Sequence, residues 1–280
     1  MSASAGQSRI AFQGEPGAFS EAAAHAYFGQ DAVPFPCASF EAVVDSVSRH
    51  EVDFGVLPVE NSVAGTVSAA YDALAATALV VVGEIACPIR HCLLAPGGAT
   101  LSSVRRVLSH PVALAQCMRF FREHPGLEAV AVHDTAGAAR RVAQSGDVSF
   151  AALASEAAAE RYELNILARD LQDRADNQTR FLFVSRPDVP PPRGAENARI
   201  KTALMIETEN RPGALVSILL PLAERGINLT HLECRPGDAP WTYRFFLDLE
   251  GDAEISPTRD ALDVVRKNAT SFRVLGSFPA

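Results

Sequence analysis

The sequence predicts an α/β protein in two parts, a larger N-terminal part of strand–helix units and a smaller βαββαβ part. Three observations carry this. Short apolar runs alternate with helix-like stretches up to Ser185. The run Arg186-Pro187-Asp188-Val189-Pro190-Pro191-Pro192-Arg193-Gly194 is stiff and cannot join a sheet, so it reads as a joint. Beyond it lie four strand-like and two helix-like segments.

Residues 10–12 form a short apolar strand that ends in Gly14-Glu15-Pro16-Gly17, and residues 18–25 read as a helix. Residues 54–59 form a second buried strand, followed by a polar loop and an Ala-rich helix around 68–76. Strands are expected at 79–84 and 92–94. The unit then repeats: strand 106–108 with a helix from Pro111, strand 129–132 with a helix from Thr135, and strand 149–152 with a helix from Ser155. Such alternation predicts a mostly parallel sheet. The units are too many for one compact sheet, and a break at 85–88 predicts two lobes. One takes about residues 8–85, the other about 86–177. A strand at 179–185 returns to the first lobe, which gains about 178–187. A ligand is expected between the lobes, outside the carboxyl ends of the strands. The N-terminal part therefore spans 1–187, the joint 188–198 and the second part 199–280.

The second part opens with a strand at 201–206. Pro212 sits in the first turn of a helix whose Leu215, Ile218, Leu219 and Leu222 share one face, and Gly226 stops it. Pro221 lies inside this helix and predicts a kink. Strands follow at 227–233 and 243–250, Ser256-Pro257 caps a second helix, and 271–275 is the last strand. The order is ferredoxin-like.

Composition excludes several classes. The formal net charge of −8 argues against nucleic acid, which needs a clustered cationic surface. It does not exclude a small anionic substrate, which local dipoles and single Arg residues govern. The first eight residues have no cationic start and no apolar stretch, and no window approaches the roughly 20 apolar residues of a membrane span. The expectation is a soluble cytoplasmic protein. The five cysteines are scattered, with no Cys-x-x-Cys pair, and the seven histidines show no ligand spacing. No metal and no cofactor is expected.

Chemistry concentrates in Asp176-Asn177-Gln178-Thr179-Arg180-Phe181, where a neutral hydroxyl and a cation head the apolar run Phe181-Leu182-Phe183-Val184. That pattern suits a strand whose first residues face a polar cleft. Far upstream stands Pro58-Val59-Glu60-Asn61-Ser62, and far downstream stand Gly213-Ala214-Leu215-Val216 and Glu233-Cys234-Arg235-Pro236. Helix starts after strands, at residues 17–20, 61–66 and 109–111, supply orphan N–H groups for carboxylates. In this order the segments resemble the prephenate dehydratase family from about Arg9 to Phe278, with its Thr-Arg-Phe segment, its Pro-Val-Glu-Asn-Ser loop and its C-terminal ACT domain.

The resemblance implies a bilobal catalytic domain similar to periplasmic binding proteins, followed by an ACT regulatory domain. It implies a lyase that takes prephenate to phenylpyruvate with loss of water and CO2, needing no cofactor, and L-phenylalanine as feedback effector. Thr179 is the expected catalytic hydroxyl, a hydrogen-bond donor to the leaving oxygen. Asn61, Ser62, Gly65, Thr66, Asn177, Arg180, Phe181, Ser20 and His110 are expected to bind substrate, with Glu60 orienting Arg180 or Thr179. Gln116 and Cys117 fall in the core. The family's first loop carries Thr or Ser where this chain has Ala18, leaving backbone N–H groups and Ser20. Phenylalanine is expected against Gly213, Ala214, Leu215, Val216, Asn228, Glu233, Cys234 and Arg235, at a subunit interface of a homodimer or homotetramer. Cys234 replaces the family's Ser and weakens hydrogen bonding there. Two other readings stay open: an arogenate dehydratase, and a non-catalytic bilobal ligand-binding protein. A transcription regulator would need a basic helix-turn-helix, and none is apparent.

Overall fold

A computed structural model describes residues 7–191 and 198–280. Residues 1–6, and 192–197 of the expected joint, lie outside the described residues. The chain divides into two compact units, one of Met1–Ala70 and Ile85–Phe181, the other of Tyr71–Glu84 and Leu182–Ala280.

In the first unit, β1 (Ser8–Gln13) pairs in parallel with both β2 (Ala32–Cys37) and β3 (Phe54–Asn61), and its Ile10, Ala11 and Phe12 are fully buried. With β5 (Val80–Pro88) and β11 (Gln178–Ser185) the sheet order is β2-β1-β3-β11-β5, and the short β4 (Gly65–Thr66) pairs with β3. Three helices belong to these strands: α1 (Phe19–Phe28), α2 (Phe40–Ser48) and α3 (Ser68–Ala75). β2 and α2 were not expected. Pro34 and Pro36 mask β2, because proline cannot donate to a ladder; the strand tolerates both by lying at the sheet edge. The break expected at 85–88 is instead the last part of β5.

The second sheet holds β6 (Cys92–Ala95), β7 (Arg106–Ser109), β8 (Glu128–Ala131), β9 (Phe150–Ala154) and β10 (Asn165–Ala168), in the order β10-β6-β9-β7-β8. β7 runs parallel to β8 and β9, while β6 is antiparallel to β9 and β10, so this sheet is mixed rather than mostly parallel. Strand alternation sends neighbouring residues to opposite faces. Leu94, Leu108 and Ala152 meet Val142 on one face, and Leu93, Val107 and Leu153 meet Phe120 on the other. The helices are α4 (Pro111–Ala115), α5 (Met118–Glu123), α6 (Thr135–Ser145) and α7 (Glu156–Arg161). Two sheets with helices match the bilobal α/β class. The lobes touch where Gly17 meets α7: a Cβ on Gly17 would lie 2.8 Å from the Ala158 Cα, and its φ of +90° is already unfavourable for other residues. The Gly17 carbonyl accepts from the Ser155 hydroxyl at 2.6 Å and the Pro16 carbonyl from the Tyr162 hydroxyl at 2.8 Å.

The second unit contains β12 (Ile200–Thr208), α8 (Ala214–Ala223), β13 (Leu229–Pro236), β14 (Tyr243–Glu250), α9 (Thr258–Asn268) and β15 (Ser271–Pro279). The antiparallel order β13-β14-β12-β15 is the ferredoxin-like arrangement expected. Ile218, Leu222, Leu262 and Val265 pack on Leu204, Ile206, Leu247 and Leu249. Pro221 has no N–H to give the Ser217 carbonyl, and the Asn268 side-chain amide donates to that carbonyl instead, at 2.9 Å. Segment Tyr71–Glu84 rests on this sheet. Tyr71 stacks on His231, with its hydroxyl 2.8 Å from His231 Nε2, and Lys201 pairs with Glu84. Gly276 leaves room for the Val81 carbonyl, against which a Cβ would clash.

Candidate functional site

The first unit contains an open cavity of about 590 Å³. Its wall is built from helix beginnings. The N-cap residues of α1 (Ala18), α2 (Ser39), α4 (His110) and α6 (Asp134) all line it, and so do Val67 and Ala69 at the start of α3. Among the described lining residues there is no Lys or Arg. Positive potential therefore comes from helix N-termini, whose orphan N–H groups suit carboxylates. Three of these caps are made by side chains: Ser39 accepts from Ala42 N–H, His110 Nδ1 from Val112 N–H, and Asp134 from Gly137 N–H.

One end of the cavity is a buried amide network whose polarity is set by the backbone. Asn61 Oδ1 accepts the N–H groups of Val63 and Ala64 at 3.0 and 2.8 Å, so that atom is oxygen and the other is nitrogen. Asn61 Nδ2 then shares its two protons among Asn177 Oδ1 at 2.8 Å, the Gln178 carbonyl at 3.0 Å and Thr179 Oγ1 at 3.0 Å. Gln116 Nε2 donates to Asn61 Oδ1 at 3.1 Å, which makes Gln116 Oε1 the acceptor for Asn177 Nδ2 and for His91 Nε2. His91 is therefore protonated on Nε2, and its buried Nδ1 has no hydrogen-bond partner among the described residues. Burial lowers the His91 pKa, and the bond to Gln116 opposes that only in part. At the end of the chain, Thr179 Oγ1 accepts from Asn61, so this bond leaves the hydroxyl proton of Thr179 uncommitted.

Of the expected site residues, Thr179, Asn61, Gly65, Thr66, Phe181, Ser20 and His110 line the cavity. Asn177, Ser62, Arg180 and Glu60 do not. Asn177 stands behind Asn61 and Gln116 as a network partner. Ser62 ties two loops, its hydroxyl donating to the Asp176 carbonyl and accepting from Gln178 N–H. Arg180 follows Thr179 on β11, and strand alternation turns it to the opposite face from Thr179 and Phe181. Glu60 precedes Asn61 on β3, where it pairs in register with Thr66. The sequence reading missed His91, His133 and Asp134, and it left Gln116 in the core beside Cys117. Gln116 is buried but lines the cavity, whereas Cys117 is in the core, with its thiol pushed up to about 12, burial being the larger cause and Asp173 the other. A polar amide ending a helix that starts at a polar cap was the available signal.

In the second unit, Gly213 caps α8 with φ +82°, a conformation that favours glycine, while no atom lies near its missing Cβ. Ala214 is buried, Leu215 is half-buried and Val216 is exposed. Asn228 precedes β13, on which Cys234 is exposed between the less exposed Glu233 and Arg235. Arg235 makes a two-pronged ion pair with Asp72, at 2.8 and 3.1 Å. Among the described residues no helix is long and apolar enough to cross a membrane, and no group of three His, Cys, Asp or Glu side chains could hold a metal ion.

Residues 10–189 match the prephenate dehydratase family model, and residues 202–266 match the ACT domain model. The arogenate dehydratase/prephenate dehydratase 2 of Arabidopsis thaliana is 43% identical over 97% of this chain and 72% of its own length. The solved structure of a prephenate dehydratase from Arthrobacter aurescens in complex with L-Phe is 34% identical, with a TM-score of 0.88 over 97% of this chain and 90% of that one. GqqA, described as a quorum quenching acylase, is 37% identical, with a TM-score of 0.87 over 97% of this chain and 98% of its own.

Proposed function

Because this chain belongs to the prephenate dehydratase family, we propose that its cavity binds prephenate and releases phenylpyruvate, CO2 and hydroxide. Prephenate carries two carboxylates and a ring hydroxyl. In the reaction, the electrons of the ring-to-carboxylate bond enter the ring, the opposite carbon–oxygen bond breaks, and hydroxide departs. Aromatisation drives the step. The protein holds the two anions and stabilises the leaving oxygen. Helix N-termini around the cavity serve the first task without Lys or Arg. Thr179 serves the second. Its intrinsic acidity is low, so it acts as a preorganised donor in a dry site.

The observation that carries this reading is the bond from Asn61 Nδ2 to Thr179 Oγ1, which frees the hydroxyl proton for the substrate. The same bond argues against acyl transfer with Thr179 as nucleophile, since an amide N–H cannot take the hydroxyl proton. In an assay of the purified chain on prephenate, Thr179→Ala is expected to lose about 10²-fold or more in kcat while folding normally, and Thr179→Ser to keep part of the activity. Near wild-type turnover by Thr179→Ala removes the hydroxyl from the mechanism.

The remaining parts of the reading follow from the family. A bilobal catalytic region occupies 1–187, with lobes at about 8–85 plus 178–187 and about 86–177, and a joint at 188–198 leads to the ACT domain at 199–280. L-Phenylalanine acts at that domain, against Gly213–Val216 and Asn228 with Glu233–Arg235, in a cytoplasmic homo-oligomer. The likeness to a protein bound to L-Phe supports the effector. Arogenate is the second substrate to test, because the Arabidopsis relative carries both activities in its name.

A further inference from the structure

We propose that the cluster of His110, His133 and Asp134 receives the three-carbon arm of the substrate, and that Asp134 sets whether the arm is accepted with an amine or a keto group. The assignment rests on the dehydratase reading above. All three side chains belong to residues that line the cavity. His110 caps the start of α4, and Gln116, which holds Asn61 and through it Thr179, caps its end. The rise of a helix puts these two caps about 9 Å apart. The ring and arm of prephenate span roughly 8 Å from leaving hydroxyl to arm carboxylate, at bond lengths near 1.5 Å. Thr179, His110, His133 and Asp134 line the same cavity, and a substrate with its hydroxyl at Thr179 is long enough to bring its arm to His110 and to the His133 and Asp134 that act on it.

The polarity of the cluster then decides what the arm can carry. His110 Nδ1 accepts Val112 N–H at 3.2 Å, so Nε2 bears the proton. Burial and then His133 lower the His110 pKa, and Asp134 opposes them, which keeps the ring a neutral donor. Such a donor serves a keto oxygen or a carboxylate and cannot accept from an ammonium. Asp134 has the complementary character. Its Oδ1 accepts Gly137 N–H at 2.5 Å, and a carboxylate has further lone pairs to offer an ammonium. Among the described lining residues only Glu41, at the start of α2, also bears a carboxylate.

Asp134→Asn tests this without disturbing the helix, because Asn caps as well as Asp. The full chain and this variant are assayed for kcat/KM on prephenate and on arogenate, and for inhibition of prephenate turnover by arogenate. The variant is expected to lose about tenfold or more on arogenate, in turnover or in inhibition, the scale of one charge-assisted hydrogen bond. On prephenate its kcat/KM is expected to rise, because a carboxylate near a dianion is removed. Equal changes on both substrates overturn the assignment. So does a wild-type cavity that does not bind arogenate, or a selectivity change that Glu41→Gln produces and Asp134→Asn does not. If the wild type dehydrates neither compound, the dehydratase reading itself fails, and this assignment with it.

Discussion

Asn61→Asp keeps the shape of the side chain and reverses the polarity of one atom. The oxygen that meets the N–H groups of Val63 and Ala64 and the Gln116 amide keeps all three donors. The atom that was Nδ2 becomes an oxygen facing Asn177 Oδ1, the Gln178 carbonyl and Thr179 Oγ1, at 2.8, 3.0 and 3.0 Å. The Gln178 carbonyl has no proton to give, and the Asn177 amide nitrogen is held by Gln116. Thr179 alone can answer, by turning its hydroxyl proton away from the cavity and toward the new carboxylate. The leaving oxygen then loses its donor. Removal of one preorganised donor lowers kcat by about 10²- to 10³-fold, or roughly 3–4 kcal/mol. Two or three lost hydrogen bonds at about 1 kcal/mol each leave a chain that still folds. Steady-state turnover of prephenate, with thermal unfolding in parallel, reads both numbers. A pH signature separates the polarity argument from simple disruption. Burial against carbonyl oxygens raises the new carboxyl pKa, and once protonated the group donates to Thr179 again. Turnover by the variant should therefore recover as pH falls. A variant with near wild-type kcat at neutral pH, or one that recovers only as pH rises, refutes the reasoning.

Three further outcomes are expected. Burial lowers the His91 pKa below its ordinary 6.5, so its folding contribution is full above that pH and is lost as pH falls below it; His91→Gln should flatten this acid-side fall in thermal midpoint. Gly17→Ala forces a Cβ to within 2.8 Å of the Ala158 backbone at φ +90°, and should lower both thermal stability and turnover by shifting the start of α1. Arg235→Ala removes the ion pair to Asp72 as well as a proposed effector contact, so the L-phenylalanine concentration for half inhibition should rise about tenfold or more; unchanged inhibition places the effector elsewhere.

The α/β class, the ferredoxin-like C-terminal order and the segments that hold Thr179 and Asn61 are legible in the chain without a structure. Each is a local property: hydrophobic period, proline and glycine punctuation, or a contiguous motif. β2 escaped because two prolines contradict a central strand, and only its place at the sheet edge makes them tolerable. Arg180 is not among the residues that line the cavity, because alternation along β11 turns it from Thr179, although a cation beside a hydroxyl suggests an anion site. Which helix beginnings converge depends on long-range packing. His91, Gln116 and the adjacent pair His133-Asp134 lie on separate segments, and none carries a spacing that ties it to Thr179. His91 and Gln116 are linked to Thr179 through hydrogen bonds between distant segments, the last of which, from Asn61 to Thr179, spans 118 positions of sequence. Proton placement on Thr179 is likewise a tertiary fact. It descends from two backbone N–H groups, through one amide, to a hydroxyl that the sequence identifies but cannot orient.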